Sequence, residues 1–253
     1  MGFLKAFLLL VGFIGFGILA LLFGVVALPF LWVAPSLRYR LNEVFIRPFS
    51  IFSRAVVGLK LVIDPAQKAS IPRPSVMIGN HQTGLDFALI SQACPEGVLI
   101  VAKRELIRIP LFGWFFWLAG NLLIDRKDRS GSLARLASVR DRLVRHRLNL
   151  AIFPEGTRSK SGEFLPFKKG AFQIAAENGL PIVPVVCSSL RGKGIWETFE
   201  LGGGHVVVSI LPAVQTTDWK GKDLAPLIHD IHARMVEEFR RVNQQAGELD
   251  ARS

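Results

Sequence analysis

Cysteine is nearly missing from this 253-residue chain. Cys94 and Cys187 stand far apart and share no CxxC spacing, which excludes a disulfide framework and a cysteine-built zinc cluster. Acidic residues are in the minority, 20 against 31 Lys and Arg, for a formal charge of +11, while half of all residues are hydrophobic. Nucleic-acid binders are basic but seldom so apolar, whereas a protein resting on an anionic lipid surface needs both properties. The basic run from Arg129 to Asn149 has no aromatic residue to stack on bases, which argues against RNA. A G-x-x-x-x-G-K-[ST] spacing is missing, so nucleotide hydrolysis is disfavoured. There is no G-x-S-x-G elbow and neither cysteine lies in a glycine-rich turn, so no enzyme nucleophile presents itself. His229 and His232 lack a third ligand pattern and read as surface residues, with no metal expected. No internal repeat or low-complexity linker divides the chain, whose length suits one catalytic domain and an accessory segment.

Charge is also missing, completely, from Ala6 to Val33. An apolar run of that length is enough to cross a bilayer, and Leu28-Pro29-Phe30-Leu31-Trp32 stands where a signal peptide would carry a small-residue cleavage site. The run is expected to be a retained anchor, either one spanning helix or a helix pair dipping into a single leaflet. Behind it Arg38, Arg40, Arg47, Arg54 and Lys60 alternate with apolar residues, as in a helix at the headgroup zone or a second core helix. The positive charges after residue 37, against Lys5 alone before the anchor, place the main domain on the cytoplasmic face of the cell membrane. The expected division is residues 1–64 as anchor and interfacial helix and 65–253 as catalytic domain, with the proline-rich stretch Pro65 to Pro74 as the hinge.

From Ser75 onward, short β-branched runs alternate with helical-period segments. Strands are expected at Val76–Ile78, Val98–Ala102, Leu122–Ile124, Ala151–Phe153, Ile182–Cys187 and Val206–Leu211, and helices at 87–93, 111–118, 132–146, 171–178 and 223–245. That alternation predicts an α/β fold with a mixed central sheet flanked by helices.

His81 falls in the turn between a short apolar strand and a helix, where open α/β sheets bind ligands. Asp86 follows five residues later. On a continuous helix the two would point about 140° apart, so they meet only if the chain turns between them, and Gly84 supplies the turn. Asp86 can then accept the Nδ1 proton of His81 and leave Nε2 free as a base. Such a base can deprotonate an alcohol that attacks an acyl carbonyl, and a thioester donor suits a site with a single base.

The stretch Phe153-Pro154-Glu155-Gly156-Thr157-Arg158-Ser159 leaves a strand into a polar loop. Glycine lets backbone amides approach an anion and arginine grips two phosphate oxygens, so Glu155, Gly156, Thr157 and Arg158 are candidate phosphate binders. The alternative is a turn in which Glu155 and Arg158 pair with each other. Lys103 and Arg126 emerge from neighbouring strand ends and complete the cation set; Arg126 equally suits an ion pair with Asp125 or Glu155. The basic face from Arg126 to Arg147 fits acidic headgroups or plain solvent.

Taken in order, four blocks resemble the 1-acylglycerol-3-phosphate (lysophosphatidate) acyltransferases. They are Asn80-His81-Gln82-Thr83-Gly84-Leu85-Asp86, Gly120-Asn121-Leu122-Leu123-Ile124-Asp125-Arg126, Phe153 to Ser159, and Leu180-Pro181-Ile182-Val183-Pro184-Val185. The resemblance implies acyl transfer from acyl-CoA or acyl-carrier protein to the sn-2 hydroxyl of lysophosphatidate, without cofactor, metal or covalent enzyme intermediate. It implies His81 as base, Asp86 as its orienter, Arg158 and Lys103 on the phosphate, and Pro181 and Val183 in acyl-chain binding or packing. Glycerol-3-phosphate, another lysophospholipid or a lyso-ornithine lipid are alternative acceptors. A membrane-tethered phospholipid-binding protein without turnover is the alternative outside catalysis.

Overall fold

The computed structural model describes residues 35–83, 86–93, 97–109, 112–125, 139–159, 161–190 and 203–252, with eight further positions between 7 and 25. Among these residues a short 3-10 turn (Pro35–Leu37) leads into α1 (Arg38–Val57), followed by β1 (Leu59–Ile63), α2 (Pro65–Ala69), β2 (Val76–Gly79) and α3 (Asp86–Ala93). β3 (Val98–Lys103), α4 (Phe112–Leu118), β4 (Leu122–Ile124), α5 (Arg140–His146) and β5 (Asn149–Ile152) come next. α6 (Gly170–Asn178), β6 (Ile182–Cys187), β7 (Gly204–Ile210) and the long α7 (Ala225–Ala251) complete the order.

The strands form one seven-stranded sheet in the order β1-β7-β6-β2-β5-β3-β4. All neighbours are parallel except β6 and β7, so the expected mixed sheet is present. β2, β3, β4, β5 and β6 therefore end on the same edge, and β2 sits at the centre between β5 and β6. Side chains alternate across the sheet as the period of two requires. Val76, Ile78, Leu99, Leu150 and Ile182 face a core shared with α5, α6 and α7, whereas Met77, Ile100, Ala151, Val183 and Val185 face one shared with α3 and α4. β2 and β6 are buried along their whole length, which is why they read as continuous apolar runs.

β1 is a strand that sequence reading misses. Its Leu59-Lys60-Leu61-Val62-Ile63 segment pairs in parallel with β7 from Gly204 to Val208. The proline-rich stretch behind it begins as a helix, with Asp64 accepting from the Ala66 amide at 2.8 Å as N-cap. Lys68 then donates to the Gln92 carbonyl at 2.8 Å, and Gln67 accepts from the Ile210 amide at 3.0 Å, so this segment is fastened to the sheet.

The apolar run 6–33 lies mostly outside the described residues. Within it Phe7, Val11, Ile14, Ile18, Leu22 and Val25 are helical and exposed. No helix among the described residues is long and apolar enough to cross a membrane. His232, expected at the surface, instead has its Nε2 buried and its ring edge-on to Phe164 and Phe167.

Candidate active site

β2 delivers the site. Gly79 closes the strand where α3 crosses it so tightly that a Cβ there would stand 2.3 Å from Ile90 Cδ1. Asn80 comes next and is buried. It donates through Nδ2 to the Cys187 carbonyl and accepts the Cys187 amide through Oδ1, both at 2.9 Å. That two-way bond locks the end of β2 to the end of β6, and Gln82 adds contacts to Ser188 and Leu190.

His81 then emerges at the carboxyl edge of the sheet. Its Nδ1 lies 2.9 Å from Asp86 Oδ2, and the carboxylate is fully buried while the imidazole retains 21% exposure. Asp86 Oδ2 also accepts the backbone amides of Gln82 and Thr83, and Oδ1 accepts the Thr83 hydroxyl at 3.2 Å. Together with the His81 ring nitrogen, these contacts fix the carboxylate in place through four polar partners. That contact uses Nδ1 and leaves Nε2 as the other ring nitrogen. No hydrogen-bond partner among the described residues meets Nε2. The turn residue Gly84 lies outside the described residues, but the closure expected of it is present in the contact between His81 and Asp86.

The loop after β5 clamps the other side of His81. Glu155 Oε1 accepts the His81 amide at 2.9 Å, and the Ser159 amide donates to the His81 carbonyl at 2.8 Å. Phe153 stacks on the imidazole, centroids 4.2 Å apart with 15° between planes. Glu155 differs from its expected position among the phosphate binders. Its side chain is turned inward, 2% exposed, and its second oxygen accepts the Leu165 amide at 3.2 Å. Burial pushes its carboxyl pKa up, against the lowering effect of those two amide bonds. Both of its oxygens are taken by backbone amides, so it joins the two loops.

Thr157 and Arg158, by contrast, are exposed beside this clamp. Gly156 between them and Glu155 has φ +70°, in the left-handed region that favours glycine, and a Cβ there would come within 2.7 Å of Lys168 Nζ. Lys168 is a cation the sequence reading does not include; only the fold reveals that the chain returns over Gly156, with its amide donating to the Pro154 carbonyl at 2.9 Å. Lys103 is exposed at the end of β3, paired in register with Ile124 of β4. Arg126 lies outside the described residues. Pro181 sits before β6 at the opposite edge, its carbonyl accepting the Val76 amide, and Val183 is buried opposite Met77. Asn80, Gln82 and Phe153 were also missed as supports for His81, although all three stand within the two blocks.

The edge thus carries the His81–Asp86 pair with exposed cations at neighbouring strand ends, and no group of three or more His, Cys, Asp or Glu suited to a metal occurs among the described residues. A sequence family described as Acyltransferase matches residues 63–188, so fold and site define an acyl-transferring enzyme. The chain is 33% identical over 207 residues to human 1-acyl-sn-glycerol-3-phosphate acyltransferase beta, covering 82% of this chain and 73% of that one. It is 32% identical over 194 residues to the 1-acyl-sn-glycerol-3-phosphate acyltransferase of Escherichia coli, covering 77% and 78%. Its fold matches the crystal structure of the 1-acyl-sn-glycerophosphate (LPA) acyltransferase PlsC from Thermotoga maritima with a TM-score of 0.71 and 23% identity, over 95% of this chain and 98% of that one. The chain belongs to the 1-acyl-sn-glycerol-3-phosphate acyltransferase family.

Proposed function

We propose that the protein transfers a fatty acyl group from acyl-CoA or acyl-carrier protein to the sn-2 hydroxyl of lysophosphatidate, forming phosphatidate for phospholipid synthesis. The observation that carries this reading is the 2.9 Å contact from His81 Nδ1 to a buried, amide-bound Asp86, which leaves Nε2 open at the catalytic edge. Nε2 takes the proton of the acceptor hydroxyl as its oxygen attacks the thioester carbonyl. The tetrahedral intermediate collapses by breaking the C–S bond, and the imidazolium returns its proton to the departing thiolate. Products are the ester and the free thiol, and no covalent enzyme intermediate or cofactor is needed.

Arg158, Thr157 and the backbone at Gly156, with Lys103, bind the acceptor phosphate and so fix the distance from its free hydroxyl to His81. The names and identities of the relatives support lysophosphatidate over glycerol-3-phosphate or other lysolipids as acceptor. The uncharged run from Ala6 to Val33 and the basic residues after it support a cell-membrane enzyme with its catalytic domain on the cytoplasmic face.

The test is a panel of acceptors and donors given to the detergent-dispersed protein, followed by free thiol. Lysophosphatidate is expected to give the highest kcat/KM. Arg158→Ala is expected to raise the acceptor KM by about tenfold or more, as for a lost charge-assisted phosphate contact, with a smaller loss in kcat. An unchanged acceptor KM in that variant would reject the phosphate role.

A further inference from the structure

α4 turns two tryptophans to the outside. Trp114 and Trp117, one helical turn apart, are 57% and 58% exposed, while Phe116 between them is 5% exposed in the core. Ile109, just ahead of the helix, is 48% exposed. The inward face packs closely: a Cβ at Gly113 would meet the Leu106 carbonyl oxygen at 2.1 Å. Exposed large aromatics this close together mark a contact surface.

Position and charge identify the partner. β3 and β4 are parallel, so the crossover that contains α4 begins at the carboxyl edge of the sheet, the edge that carries His81. Between β3 and α4, Lys103, Arg104 and Arg108 are exposed, with Glu105 as the acid among them. At the far end of α4, Arg142 donates to the Gly120 carbonyl at 3.3 Å, bringing in α5, whose Arg140 and Arg145 and following Arg147 are exposed. Indoles flanked by cations are the chemistry of the boundary between lipid headgroups and acyl chains, where the ring body is apolar and its N–H stays hydrated.

We propose that Trp114, Trp117 and Ile109 insert into the headgroup boundary of an anionic phospholipid bilayer, with Arg104 and Arg108 against the lipid phosphates. This forms a membrane contact separate from the 6–33 segment. It rests on the reading that the acceptor is a bilayer lipid, and it seats the His81 edge against the bilayer so that an acceptor reaches the site without leaving the lipid phase.

The experiment uses the full chain in vesicles of phosphatidylcholine and phosphatidylglycerol, with Trp32, Trp196 and Trp219 replaced by phenylalanine so that Trp114 and Trp117 are the emitters. Lipids brominated near the top of their acyl chains are expected to quench the emission, and aqueous iodide is expected not to. Strong iodide quenching with no effect of brominated lipid overturns the proposal, as does protection from iodide only on adding an acidic carrier protein. A second arm keeps the other tryptophans and carries Trp114→Ala with Trp117→Ala. Its apparent KM for lysophosphatidate in vesicles is expected to rise several-fold, with kcat in detergent micelles unchanged. Equal vesicle KM values in the variant and the unsubstituted chain would count against the seat. Absence of turnover in micelles by the unsubstituted chain would instead reject the acceptor reading, leaving the quenching result to decide the membrane contact.

Discussion

At the scale of the residue, the spacing of His81 and Asp86 is legible because the chemistry demands it. A strand end, a histidine and an acid at the head of the next helix are enough to anticipate the contact between the two side chains. The sequence does not reveal how firmly the pair is held, since the amides of Gln82 and Thr83, the Phe153 stack and the Glu155 clamp depend on loop closure. Asp86→Asn tests the orienting role. The substitution preserves shape but replaces one carboxylate oxygen with an amide that cannot accept the Nδ1 proton. We expect kcat to fall by about 10²- to 10⁴-fold, by analogy with tautomer loss in triads, with little change in acceptor KM and an unchanged circular dichroism spectrum. Turnover within a few-fold of the unsubstituted enzyme would show that Asp86 is structural only. Glu155 shows the opposite lesson: an acid inside a polar motif reads as ligand chemistry, while burial makes it a loop fastener.

At the scale of the element, the strands that end on the catalytic edge were legible as short β-branched runs followed by polar turns. β1 was not, because Leu59–Ile63 abuts α1 and continues its mixture of basic and apolar residues; it becomes a strand only by pairing with β7. Gly113 is an element-scale constraint invisible in sequence, joining the turn after β3 to α4 at van der Waals limits. Gly113→Ala is expected to destabilise the fold by about 1–3 kcal/mol as overpacking against backbone that has nowhere to move. Thermal unfolding in detergent checks this; a variant as stable as its parent would mean the junction gives way freely. Gly79 is a softer case, since its neighbour is the end of the Ile90 side chain.

At the scale of the whole molecule, the fold places five parallel strand ends on one edge, and among the described residues those of β2, β5 and β3 carry the His81–Asp86 pair, the clamp and Lys103. This is why an ordered set of short motifs, each weak alone, identifies a site. Their order along the chain differs from their order in the sheet, where β5 and β6 flank β2, and that adjacency was beyond the reach of pattern reading. The excess of basic residues is legible in the sequence, whereas the outward tryptophans of α4 became visible only once burial sorted Phe116 from its neighbours.

The most direct test of the central claim, that His81 is the base for acyl transfer to a lipid hydroxyl, is the rate of His81→Ala. Purified full-length protein in detergent is given acyl-CoA and lysophosphatidate, and free thiol and phosphatidate are both followed. The unsubstituted enzyme is expected to produce the two in equal amounts, and the variant to lose about 10²- to 10⁴-fold in kcat, with its acceptor still bound. Turnover by His81→Ala within a few-fold of the unsubstituted enzyme would contradict the account.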